Sequence, residues 1–197
     1  MAAPYSVLGT RYFFAMPENS QPRAVFLLGF MGAGKTSVGQ ALARRLGWRF
    51  VDLDQRIEMR AGRSVAEVFA QSGEPAFRAM ETAALRELLA ELSPASPTVM
   101  ALGGGAPLDP ENAAMLVTSG APQVFLDAPF DELRRRCSQT AGSRPLFREE
   151  QAARQLYESR RPHYLKAQHR VDTASRSVEQ AAAEIARLLS LQPAKGE

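Results

Sequence analysis

The sequence predicts an α/β fold in three layers, α/β/α, with a parallel sheet covered by helices on both faces. Three observations predict it. Short apolar runs of strand type alternate with segments of helical spacing along the chain. The first apolar run leads through a glycine-rich loop directly into a helical segment, a strand–loop–helix unit. The chemically unusual residues fall just after apolar runs, where the strands of a parallel sheet end and ligands bind.

The elements justify this in order. Residues 24–28, Ala-Val-Phe-Leu-Leu, form a buried-type strand, and residues 35–46 follow with helical spacing. Residues 49–52 make a second strand that ends in acid. Ser64 can cap a short helix over 64–71, with Glu67 at the capping-box position. A longer helix over 74–92 places Phe77, Ala84, Leu85, Leu88 and Leu89 on one side. Pro94 and Pro97 then break the chain. Residues 98–102 are a buried-type strand closed by three glycines. A helix at 110–118, a strand at 123–127 and an arginine-rich helix at 129–136 follow. Residues 138–143 form a polar loop. A helix at 149–160, a short strand at 171–172 and a last helix at 178–191 complete the chain.

Composition bounds the function. A chain of 197 residues suits one domain with a substantial core. Its 45% hydrophobic and 23% charged residues are ordinary for a soluble globular protein. A net charge of +3 favours an anion only mildly and marks no nucleic-acid surface. No apolar run approaches the roughly 18 residues of a membrane span. Residues 1–22 lack a signal-peptide core and read as a loosely ordered extension. Cys137 is the only cysteine, so no internal disulfide forms, which fits a reducing cytoplasm. In its polar run it reads as incidental. His163 and His169 pair with no cysteine, and no zinc site is expected. The chain carries no sign of an obligate interface and is expected to be a monomer.

The chemistry begins at residues 29–36, Gly-Phe-Met-Gly-Ala-Gly-Lys-Thr, which fit G-x-x-x-x-G-K-[ST] in full. Gly32, Ala33, Gly34 and Ser37 bring backbone N–H groups and a helix N-terminus to phosphate oxygens. Lys35 reaches the β/γ-phosphates, and Thr36 holds Mg²⁺. Lys35 is one of only three lysines beside 21 arginines, so its place is no by-product of composition. The loop indicates a nucleotide and leaves the reaction open.

Asp52-Leu53-Asp54 follows the second strand. On an extended chain, residues i and i+2 share a face, so both carboxylates can enter one crevice. One suits Mg²⁺ through water and the other suits accepting a hydroxyl proton. Arg78 and Glu81 are three apart on a helix, so Glu81 can hold the Arg78 fork for a carboxylate ligand. An ordinary surface ion pair explains that spacing equally well. Gly103, Gly104 and Gly105 end a buried strand, where a ligand can touch backbone. Arg144, after a glycine-containing loop, suits a charge stabiliser on a mobile segment. Arg160 ends a helix, where a cation is also favoured by the helix dipole.

In this order the segments G-F-M-G-A-G-K-T, V-D-L-D, F-R-A-M-E, G-G-G-A-P-L-D-P-E-N, R-P-L-F and R-R-P-H-Y resemble shikimate kinase, over about residues 23–191. The resemblance implies a nucleoside-monophosphate-kinase-like fold with a central five-stranded parallel sheet. It implies one domain at 23–192, with a substrate-binding segment near 52–92, a lid near 137–150 and a tail at 193–197. It implies transfer of the ATP γ-phosphate to the 3-hydroxyl of shikimate, with Mg²⁺. By motif, Asp54 would bind shikimate and serve as base, and Asp52 would act on Mg²⁺ through water beside Thr36. Arg78 and Arg160 would clamp the shikimate carboxylate, and Gly103–Gly105 would line the ring. Arg160 is preferred to Arg161 by its spacing to Pro162 and Tyr164. Arg144 would reach the phosphates from the lid, and Arg136 and Arg176 would contact adenine. A related kinase of another polyol acid, such as gluconate, and a non-catalytic nucleotide-binding regulator are the competing readings.

Overall fold

The computed structural model describes residues 21–139 and 149–193. Five strands form one parallel sheet: β1 (Ala24–Leu28), β2 (Arg49–Asp52), β3 (Thr98–Ala101), β4 (Gln123–Asp127) and β5 (His169–Asp172). Their order is β2-β3-β1-β4-β5. Every residue of β1 and β3 is buried, whereas β2 and β5 at the edges are half exposed. The apolar runs that named the strands are therefore those covered on both faces, as a parallel sheet requires.

Seven helices accompany the sheet among the described residues: α1 (Lys35–Leu46), α2 (Leu53–Ala61), α3 (Val65–Ala90), α4 (Pro110–Thr118), α5 (Phe130–Gln139), α6 (Glu150–Tyr164) and α7 (Val178–Leu188). The chain leaves β1 toward β2 on one side and later places β4 and β5 on the other. Right-handed crossovers in opposite directions put helices on opposite faces, giving three layers. The strand order reverses at β1, between β3 and β4, and that switch point opens the crevice for ligands.

Two local features differ from expectation or refine it. Residues 53–61 fold as α2, which hydrophobic spacing did not reveal because only Leu53 and Ile57 are buried along it. Its signals were the caps: Asp52 accepts from the backbone N–H groups of Asp54 and Gln55, and Gly62 closes the helix at φ 65°. The two helices expected over 64–71 and 74–92 run together as α3, broken at Gly73 (φ 76°, ψ 172°). Pro75 sits just past that break, near a helix start, where a missing N–H leaves no bond unmade. The Ser64–Glu67 capping box is present as predicted.

Candidate functional site

The phosphate loop joins β1 to α1. Gly34 caps α1 with φ 92°, a conformation only glycine adopts freely, and no side chain caps the helix start. The backbone N–H groups there are presented to the crevice with the positive end of the helix dipole. Lys35 Nζ donates to the carbonyls of Gly29 at 2.8 Å and Phe30 at 3.2 Å, which holds the ammonium over the loop. Thr36 Oγ1 donates to Asp52 Oδ2 at 2.8 Å, so the first turn of α1 is tied to the end of β2.

These residues open into a crevice of about 780 Å³ lined by residues 32–38, Asp52, Asp54, Arg136, Cys137, Thr173 and Arg176. Ala33 and Ser37 line it with the rest of the loop. Beside the loop, Arg136 donates to Glu132 Oε1 at 2.8 Å and to the Thr173 carbonyl at 2.5 Å, and Thr173 Oγ1 in turn donates to the Ala33 carbonyl at 3.4 Å. Arg176 donates to the Asp172 carbonyl at 2.5 Å. Both arginines thus line the same crevice as the phosphate loop. The hydrogen bond from Arg135, with that from Arg136, holds the Glu132 carboxyl down at about 2.

Cys137 differs from its sequence reading. The helix expected over 129–136 runs on as α5 to Gln139, so Cys137 stands on a helix. Its thiol is buried against the phosphate loop: a Cβ on Gly32 would lie 2.7 Å from Sγ. Arg144, and with it most of the expected lid, lies outside the described residues.

The reason given for the acidic pair also changes. Asp52 and Asp54 do not share a face of extended chain. Asp52 is the N-cap of α2 and Asp54 stands in its first turn, where Asp52 Oδ1 accepts its N–H at 3.1 Å. Both carboxylates nevertheless line the crevice.

A second cluster gathers at the end of β3. A Cβ on Gly103 would lie 2.6 Å from Glu81 Oε1 and 2.8 Å from Asp54 Oδ1, so the backbone passes directly beneath two carboxyl groups. No other residue fits there unless both are displaced. A Cβ on Gly104 would lie 3.2 Å from Arg160 Nη1, and Gly105 lies beside Nη2 of the same guanidinium. The register of α6 is set by Tyr164, wholly buried, which donates to the Gly104 carbonyl at 2.6 Å and packs on Phe125. Burial pushes its phenol up to about 12, so it remains a donor. One helical turn earlier, Arg160 falls on the glycine run.

Arg161, the alternative to Arg160, has another partner. Its guanidinium meets Asp127 Oδ2 at 2.8 Å, and Arg170 meets the same oxygen at 2.7 Å. Asp127 ends β4 and is buried, the same signal of an acid at a strand's carboxyl end that singled out Asp52. Sequence reading passed over it, and over Tyr164 as a positioning group.

The expected Arg78–Glu81 pairing is not formed. Arg78 is exposed and bonds Glu74, four residues back, through Nε at 3.1 Å and Nη2 at 2.5 Å. Glu81 instead turns into the interior, 2% exposed, with Oε1 lacking a hydrogen-bond partner among the described residues. Burial, then the neighbouring Asp54, pushes its carboxyl up to about 7 against the pull of Arg78 and Arg160. Arg78 therefore acts on the cluster from its rim, while Asp54, Glu81 and Arg160 stand around the glycines.

The arrangement has two halves that meet at Asp54. One offers backbone donors, a lysine and a threonine–carboxylate pair to a polyphosphate. The other offers carboxyl, guanidinium and backbone groups to a small polar anion.

Comparison with known proteins places these features in a family context. The family model described as shikimate kinase matches residues 31–190. A shikimate kinase from Geobacter metallireducens is 41% identical over 169 residues, covering 84% of this chain and 91% of that protein. One from Thermus thermophilus is 42% identical over 164 residues, covering 82% of this chain and 86% of that protein. The solved structure of shikimate kinase from Acinetobacter baumannii in complex with shikimate superposes with a TM-score of 0.78 at 32% identity, over 87% of this chain and 94% of that one.

Proposed function

The chain belongs to the shikimate kinase family, and from that premise we propose that it transfers the γ-phosphate of ATP to the 3-hydroxyl of shikimate, giving shikimate 3-phosphate and ADP. The observation that carries this reading is the position of Asp54, which lines the nucleotide crevice and also closes on Gly103. An acceptor hydroxyl held by the glycine run would meet the phosphate donor at that carboxylate and nowhere else in the cluster.

Each residue then has a task. Residues 32–37 cradle the β- and γ-phosphates through backbone N–H groups, and Lys35 follows the charge that builds on the transferred group. Asp54 accepts the proton of the 3-hydroxyl as its oxygen bonds to the γ-phosphorus and the bond to the β–γ bridging oxygen breaks. Arg160 and Arg78 hold the shikimate carboxylate, Arg160 over Gly104 and Arg78 from the rim. Gly103–Gly105 line the ring. Arg136 and Arg176 flank the adenine end. Arg144 takes the role of a lid arginine on the phosphates, on the strength of its R-P-L segment alone.

Mg²⁺ fits the donors present. It usually takes one or two protein oxygens and completes its shell with phosphate and water. The Thr36 hydroxyl is such a hard oxygen ligand, and the Asp52 carboxylate in contact with it would hold the ion through water. When bound, the ion neutralises phosphate charge during transfer.

No helix among the described residues is long and apolar enough to cross a membrane. We place the protein in the cytoplasm as a monomer, on the strength of its single cysteine and mild charge. An assay of ADP release with shikimate, and in parallel with gluconate, tests the assignment. Turnover with shikimate alone is expected. Absence of shikimate-dependent turnover sinks it, turnover with gluconate alone moves it to the related polyol-acid kinases, and turnover with neither leaves the regulator reading.

A further inference from the structure

Thr173 directly follows β5 and is one of the few buried polar residues among those described. It lines the same crevice as the phosphate loop. Its backbone N–H donates to the Asp127 carbonyl at 2.8 Å, which fixes it against the end of β4. Its hydroxyl lies 3.2 Å from that carbonyl and 3.4 Å from the carbonyl of Ala33 in the phosphate loop. Arg136 reaches Thr173 from α5 with two nitrogens. Nη1 donates to the hydroxyl at 3.3 Å and Nη2 to the backbone carbonyl at 2.5 Å. The Nε of the same arginine donates to Glu132, four residues back on α5, at 2.8 Å.

Donor and acceptor chemistry fixes the direction of these bonds. A guanidinium only donates. The Thr173 hydroxyl must therefore turn a lone pair to Arg136 and send its single proton to the carbonyl of Asp127 or of Ala33. One buried hydroxyl thus joins the arginine to the sheet and to the phosphate loop. The ion pair with Glu132 cannot do this, because both of its members ride on α5. A guanidinium is planar, and acceptors on Nε, Nη1 and Nη2 from two separate elements hold that plane in one orientation.

We propose that Thr173 is a positioning residue for the nucleotide: its hydroxyl sets the plane of the Arg136 guanidinium against the phosphate loop, so that ATP meets the two as one pre-formed surface. The proposal rests on the reading of this crevice as the ATP site. The gain is one of preorganisation. A long side chain ordered before the ligand arrives removes that ordering cost from binding. Gly103, Gly104, Gly105 and Arg160 do not line this crevice, so the effect falls on the nucleotide and not on the acceptor.

Thr173→Val keeps the shape of the side chain and removes the hydroxyl. Calorimetric titration with ADP and steady-state kinetics are compared in four full-length proteins: wild type, Thr173→Val, Arg136→Ala and the double variant. Thr173→Val is expected to weaken ADP binding and raise the KM for ATP about 3–10-fold, the size of one or two lost hydrogen bonds, with the KM for shikimate unchanged. Arg136→Ala is expected to weaken ADP binding at least as much. Adding Thr173→Val to it should cost less than about twofold more, because the hydroxyl then has no guanidinium to set. Losses that add in full across the four proteins overturn the proposal, since Thr173 then acts without Arg136. Wild-type ADP affinity in either single variant overturns it, and so does a KM for shikimate that rises as much as the KM for ATP. Should Thr173→Val not melt cooperatively, Arg136→Lys decides. It keeps the charge and loses the fork that Thr173 orients, and ADP affinity at the wild-type level in it overturns the proposal. Failure of the wild type to bind ADP is a different result: it removes the nucleotide reading of the crevice, and this inference with it.

Discussion

Thr36 Oγ1 donates to Asp52 Oδ2 across 2.8 Å, so the phosphate loop's helix and the cap of the helix that carries Asp54 are joined by one hydrogen bond. Asp52 therefore does two jobs. Its Oδ1 caps α2, and its Oδ2 accepts from Thr36, beside the site proposed for Mg²⁺.

Two substitutions separate those jobs. Asparagine caps helices as well as aspartate, so Asp52→Asn should leave thermal stability nearly unchanged while lowering kcat and raising the Mg²⁺ concentration needed for activity. Asp52→Ala should add a loss of about 1 kcal/mol of stability from the missing cap. Melting curves and magnesium titrations of the two variants check the split.

Asp54→Asn removes the proposed proton acceptor and keeps the shape. A fall in kcat of about 10²–10⁴-fold is expected, with nucleotide affinity close to wild type. A kcat within a few fold of wild type would show that Asp54 is not the base.

Gly103→Ala places a methyl group where Glu81 and Asp54 already stand. Gly103 does not line the nucleotide crevice. The substitution should raise the KM for shikimate and reduce kcat while ADP binding survives. Weakened ADP binding of the same size would mean that the damage spreads through the fold.

The burial of Glu81 has a consequence for stability. Its carboxyl titrates higher in the folded protein, about 7, than in the unfolded chain. Between the unfolded value and about 7 the folded state binds more proton, so this group's contribution falls as pH rises through that window and is constant above it. Glu81→Gln, which cannot ionise, should gain stability over wild type on the order of 2 kcal/mol at about pH 8, and little at about pH 4. Denaturant melts at the two pH values measure this.

Asp127 is buried and shared by Arg161 and Arg170. Asp127→Asn should lower stability by about 1–3 kcal/mol, because a charge-assisted pair is lost while both arginines keep some access to water. Since Arg161 adjoins Arg160, the KM for shikimate should rise as well. Unchanged stability and kinetics would reduce the ion pair to a surface feature.

The legible part of this molecule was its periodic part. β1 and β3 stood out because strands covered on both faces read as unbroken apolar runs. The phosphate loop was legible because eight neighbouring residues build it, and no distant contact is needed to recognise it. The α2 helix was not, since most of its residues face away from the core and only its caps mark it. The partner of Arg78 was misread for a related reason. Spacing of three or four on a helix allows both Glu81 and Glu74, and only the packing of α3 turns Glu81 inward and leaves Glu74 beside the arginine.

By itself, the sequence determined the layer order, the phosphate loop and the set of chemical groups at the strand ends. Those depend on local pattern, on residues adjacent in the chain and on side-chain type. Tertiary structure alone decided how the groups combine. It brought Glu81 and Asp54 to one point above Gly103, placed Arg160 rather than Arg161 on the glycine run through the bond of Tyr164 to Gly104, and gave Arg161 to Asp127. The physical reason is that desolvation and pairing are set by distance in space. Residues 54, 81, 103 and 160 are far apart in the chain, and only the parallel sheet, with its strands ending at one edge, makes them neighbours.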